Sequence, residues 1–154
     1  MKKVSMLLFA SIAACSQHSE DSAPNHPQQA DLKNAIVEML RQTTDPFLIV
    51  EDPNTQNFIQ FSNEDGRILI DLPQSALTPD QMKAAQSYFQ RCVIPLKETE
   101  GEDPETGDTV VNESWQSTYA PGQTDKVVQI AFGALFEIHG ISNSTRLALT
   151  KGWE

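Results

Sequence analysis

Apolar residues recur with a period of two in the middle of the chain and of about 3.6 on either side. Between Pro46 and Pro73 the sequence reads PFLIVEDPNTQNFIQFSNEDGRILIDLP. Phe47 to Glu51 is an apolar run of types that suit a pleated surface, closed by a turn at Asp52-Pro53-Asn54-Thr55. Asn57 to Ser62 then alternates, with Ile59 and Phe61 opposed to Phe58 and Gln60. Asp65-Gly66 supplies a hairpin turn, and Arg67 to Leu72 alternates again, with Ile68, Ile70 and Leu72 opposed to Arg67, Leu69 and Asp71. The pattern predicts a three-strand antiparallel meander with one apolar face and one mixed face. The mixed face carries Phe58, Gln60, Leu69 and Asp71, half of them apolar, and is the candidate partner-binding surface.

The flanking segments read as helices. Asp31 to Gln42 sets Leu32, Ala35, Ile36, Met39 and Leu40 on one stripe. Leu77-Thr78-Pro79-Asp80-Gln81-Met82 is a helix start with a capping box, a proline at the first position and a hydrophobic staple. That helix is expected to run to about Val93, with Met82, Ala85, Phe89, Cys92 and Val93 inward, before Pro95 closes it. Lys97 to Asp108, KETEGEDPETGD, reads as an acidic loop, and Thr109 to Tyr119 as a strand. Thr124 to His139 is the most apolar helix, capped by Thr124 and stopped at Gly140, with Lys126, Gln129, Gly133 and Glu137 as its narrow polar stripe. Such a helix is either centrally packed or shared with a second copy, so a homodimer stays open. Arg146 to Lys151 adds a last strand, and Trp153 anchors the end. The expected fold is α+β: an antiparallel sheet, the meander plus one or two further strands, flanked by three helices in a single domain over residues 31–154.

The start of the chain has another character. Lys2 and Lys3, the apolar run Val4 to Ala13, and Ala13-Ala14 form a signal segment over residues 1–14, too short to span a bilayer as a helix. Ile12-Ala13-Ala14-Cys15 resembles the lipobox of bacterial lipoproteins. That resemblance implies cleavage before Cys15, lipidation of its thiol, palmitate-type acyl chains as anchor, and, with Ser16 following, the periplasmic side of an outer membrane. Ordinary cleavage and release into the periplasm is the alternative. Residues 15–30, rich in polar residues and proline, read as a flexible tether holding His18 and His26. Loss of Lys2 and Lys3 with the signal deepens a formal charge of −10 to −12. So acidic a domain repels nucleic acid and anionic lipid and attracts a basic protein. With Cys15 lipidated, no second cysteine is left for Cys92 to form an internal disulfide, and its place on an apolar stripe predicts a buried, inert thiol; a bridge between chains is the other reading.

Little in the chain points to catalysis. His139 is the one histidine in the domain, placed at a helix end, and an enzyme would have to centre on it. No G-x-S-x-G, HExxH, CxxC or phosphate-cradling glycine loop is present, and the acidic segment lacks EF-hand spacing. No cofactor or metal is expected.

The segments FLIVED, NFIQFS, RILIDLP, LTPDQ, ALFEIHG and LALTKGW, spread from Leu32 to Trp153, resemble the small α/β domains related to type III secretion chaperones. That resemblance implies an antiparallel sheet with flanking helices, frequent dimerisation, no catalytic residues and capture of protein segments on sheet and helix surfaces. Those domains are mostly cytosolic, whereas this chain carries an export signal. The expectation is therefore a lipid-anchored periplasmic domain that binds another protein, of the kind by which an immunity protein neutralises a toxin. An accessory lipoprotein of an envelope or secretion assembly and an enzyme centred on His139 are the alternatives.

Overall fold

A computed structural model describes residues 26–153. The signal segment, Cys15 and most of the tether lie outside the described residues. The chain folds as α1 (Gln29–Met39), β1 (Phe47–Glu51), β2 (Phe58–Glu64), β3 (Arg67–Pro73), α2 (Pro79–Arg91), β4 (Leu96–Glu102), β5 (Thr109–Tyr119), α3 (Thr124–Glu137) and β6 (Ala148–Lys151). The strands form one antiparallel sheet in the order β4-β5-β3-β2-β1-β6. The expected α+β class holds, with three strands rather than one or two added to the meander.

The meander follows from its turns and its alternation. Asp65 (φ 52°) and Gly66 (φ 80°) both take positive φ, the mirror-image turn whose twist matches the flanking strands. At the other turn the Asp52 carboxylate accepts from the Asn54 backbone N–H (3.0 Å) and the Thr55 hydroxyl (3.0 Å). The Asn54 N–H, more than any other contact, holds Asp52 below the usual carboxylate range. The resulting register puts Leu48, Val50, Ile59, Phe61, Ile68, Ile70 and Leu72 on one buried face. Against that face pack Leu32, Ile36 and Met39 of α1, Phe89 of α2, and Val127, Ala131, Phe132 and Leu135 of α3.

Helix α2 begins with the expected capping box: Gln81 N–H donates to Thr78 Oγ1 (3.3 Å), and Thr78 N–H donates to Gln81 Oε1 (2.9 Å). Its end differs from the expectation. The helix stops at Arg91, and the N–H groups of Ile94 and Val93 return to the carbonyls of Phe89 (2.9 Å) and Gln90 (3.2 Å). This Schellman closure puts Val93 at φ 58° and turns its side chain out to 75% exposure, not inward. Cys92 is buried, as its place on the apolar stripe implied.

Helix α3 is central, and its apolar girth is used inside the chain. Gly133, in the middle of the supposed polar stripe, is buried because Tyr88 of α2 lies against it and donates its hydroxyl to the Ile130 carbonyl at 2.8 Å. Thr124 is not the cap of α3 but its first residue, bonding back to the Pro121 carbonyl at 2.7 Å.

Two further expectations are corrected. The acidic segment is no loop: Leu96–Glu102 pairs along its whole length with the first part of β5, from Leu96 opposite Trp115 to Glu102 opposite Thr109. Asp103 closes the hairpin, its Oδ1 accepting from Glu105 (2.8 Å) and Thr106 (3.1 Å) N–H groups. His26, assigned to the tether, is buried; its ring stacks on Phe132 at 4.9 Å and its Nε2 donates to the Thr145 carbonyl at 2.9 Å. Gln28 locks the same stretch by donating to the Leu147 carbonyl (2.9 Å) and accepting from its N–H (2.8 Å).

Candidate functional site

The helices share one side of the sheet because the buried residues of all three meet the same strand face. The opposite face carries the candidate residues. Strand register places Thr150, Ile49, Gln60, Asp71 and Gln116 in one row across five strands, from β6 to β5. A second row runs Phe47, Ser62, Leu69, Thr118. Phe58 stands opposite Glu51 at the end of β2. The four residues singled out from alternation are therefore brought together: Gln60 faces Asp71 directly, with Leu69 one row to one side and Phe58 one row to the other. All four are half-buried, with neighbours in the sheet and no described helix above them.

The chemistry of this face is a polar centre flanked by apolar groups. Gln60 Nε2 donates to Asp71 Oδ2, tying β2 to β3. Asp71 Oδ1 is shut in by its neighbours and has no partner among the described residues. Gln116, across from Asp71 on β5, spends its Nε2 on Ser114 Oγ at 2.7 Å. Phe47 is 43% exposed, its ring lying where a side chain at position 152 would stand, and only a glycine at that position admits it. Phe47 and Ile49 belong to the same surface as Phe58 and Leu69 and were missed by reading β1 as a plain apolar run. Their place in a strand between two others is the signal that would have found them.

His139 is placed by three elements at once. Its Nε2 lies 3.1 Å from the Phe58 carbonyl, which can only accept, so Nε2 carries the proton. Nδ1 then accepts from Gln81 Nε2 at 3.3 Å, the residue that also completes the α2 capping box. Burial, partly opposed by the Phe58 carbonyl, pushes the imidazole below its ordinary value. Both ring nitrogens are thus engaged in joining α3, α2 and β2.

A second surface lies at the far end of the sheet. The β4–β5 hairpin extends past the end of β3, since only Ser114 to Tyr119 of β5 pair with it. Beside it is an open depression of about 320 Å3 whose walls include Leu77, Met82, Val111 and Glu113. Among the described residues no group of three or more His, Cys, Asp or Glu side chains is arranged to hold a metal ion. Nor is any helix there long and apolar enough to cross a membrane. Compared with family models, curated proteins and solved structures, the chain matches none.

Proposed function

We propose that this chain is a lipid-anchored domain on the periplasmic side of an outer membrane that works by binding another protein, as an immunity-type protein neutralises a toxin, and performs no catalysis. The observation that carries the reading is the uncovered sheet face. An antiparallel sheet with helices on one side usually turns a polar face to water. Here Phe47, Ile49, Phe58 and Leu69 interrupt that face and flank the Gln60–Asp71 pair, with the polar Gln116 on its β5 side. Apolar groups flanking a polar centre give a partner both burial energy and a fixed register. His139 supports the same reading, because its two nitrogens are spent on holding the fold together. The address rests on the signal segment and Cys15, as read from sequence.

The test is a double substitution, Phe58→Glu with Leu69→Glu. Both side chains are half-exposed and outside the core, so the thermal midpoint and circular dichroism should stay close to those of the parent. Capture of the partner should fall at least tenfold, since two charges would be desolvated without counter-ions. Undiminished capture by the folded variant would remove the assignment of this face.

A further inference from the structure

We infer that the outer edge of β4 is a docking strip for an extended, basic segment of a partner protein, which adds to the sheet as a seventh strand. The inference rests on the protein-binding reading above and assigns a second contact surface with its own chemistry.

Strand β4 ends the sheet, and no described strand lies beyond it. The direction of its backbone groups follows from β5. Gln116 N–H points to the Pro95 carbonyl (3.2 Å), and Asn112 C=O accepts from Thr99 Oγ1 (3.3 Å), so alternate residues of β5 turn their main-chain groups toward β4. Their partners Lys97, Thr99 and Gly101 turn inward. Leu96, Glu98, Glu100 and Glu102 therefore turn their N–H and C=O groups outward, where a further strand would bond them.

The same four residues place their side chains on one face of the strand, because a period of two relates them. All four are exposed, Leu96 by 41%. None of the three carboxylates is in an ion pair among the described residues. A strand laid antiparallel to β4 sets the residues opposite Glu102, Glu100 and Glu98 about 5 Å away on that face. Lysine or arginine suits those three alternate positions, and an apolar side chain suits the next, opposite Leu96. A second copy of this chain is disfavoured, since pairing β4 with itself would set glutamate against glutamate. The edge thus selects an occupant of base–x–base–x–base–x–apolar pattern.

The experiment uses the full chain and two nine-residue peptides of equal composition. One carries three lysines at alternate positions, then a leucine at the next alternate position; the other has its lysines in one block. Binding is followed by fluorescence anisotropy and by amide chemical shifts. The alternating peptide should bind at least tenfold tighter than the block peptide, with shifts concentrated in residues 96–102. Glu100→Pro removes only an outward N–H from an exposed strand and should abolish binding with the hairpin intact. Glu98→Lys, Glu100→Lys and Glu102→Lys together should transfer the preference to the glutamate version of the peptide, which keeps the test decisive if the proline variant does not fold. Equal binding of the two lysine peptides, no binding of either, or shifts lying on the Phe58–Leu69 face would overturn the inference. The Phe58→Glu, Leu69→Glu variant should bind the alternating peptide as the parent does. Failure at β4 and failure of the open-face reading are thereby told apart.

Discussion

Replacing Gly133 by alanine separates local propensity from tertiary packing, because the two predict opposite signs. Within a helix, alanine is favoured over glycine by about 1 kcal/mol. The structure opposes that gain. A Cβ at position 133 would stand 2.1 Å from the Tyr88 hydroxyl oxygen and 2.9 Å from Cζ of its ring, closer than the atoms can approach. The ring must move, and the buried bond from its hydroxyl to the Ile130 carbonyl is lost. Losing that bond costs about 1–1.5 kcal/mol and the forced repacking of α2 on α3 about 1–3 kcal/mol. Set against the propensity gain, the net loss is about 1–3.5 kcal/mol, which for a domain of this size lowers Tm by roughly 4–14 °C. Urea and thermal unfolding of Gly133→Ala, Tyr88→Phe and the double variant measure it. Without the hydroxyl the closest clash disappears, so the double variant should lose less than the sum of the two singles by about 1 kcal/mol or more. A Gly133→Ala variant more stable than the parent would refute the packing of α2 against α3 described here.

Two other expectations test the ends of the helices. Val93 is a β-branched residue at φ 58° with 75% of its surface exposed, so Val93→Gly relieves strain at little cost in burial. The variant should gain about 1 kcal/mol in urea unfolding; a loss of stability would contradict the Schellman closure of α2. Because burial lowers the imidazole of His139 from its ordinary 6.5, the unfolded chain binds a proton that the folded chain resists. This contribution to stability is complete above pH 6.5 and is lost as the pH falls from 6.5 through the lowered folded value. The urea midpoint should therefore drop between pH 7.5 and 5.5, and NMR should show Nε2–H in a ring titrating below 6.5. A titration above 6.5 would contradict the geometry.

The parts of the fold that could be read from sequence are those in which side-chain chemistry and backbone agree. Asp65-Gly66, the alternation of Ile68, Ile70 and Leu72, and the Thr78–Gln81 box each state a local preference that packing then uses. Strand β4 was invisible because Glu98, Thr99, Glu100 and Gly101 offer neither face an apolar residue; backbone pairing with β5 and the Asp103 turn hold it. Periodicity placed Val93 inward because it cannot anticipate a left-handed closure on a residue other than glycine. Gly133 was grouped with the polar stripe, although a glycine costly to a helix interior is itself a sign of close approach. Of the candidate face, the side to which Phe58, Gln60, Leu69 and Asp71 point was legible. That β6 and β5 extend this face, adding Thr150 and Gln116 to its central row, comes from long-range strand pairing that no local pattern encodes.

The open face bears most directly on how the protein works, and crosslinking from within it is the most direct measurement. A photoreactive benzophenone side chain in place of Leu69, with one in place of the exposed Gln129 on the outer side of α3 as control, can be activated in living cells. The account predicts a single protein adduct from position 69 and none from position 129. No adduct from position 69, or the same adducts from both, would contradict it.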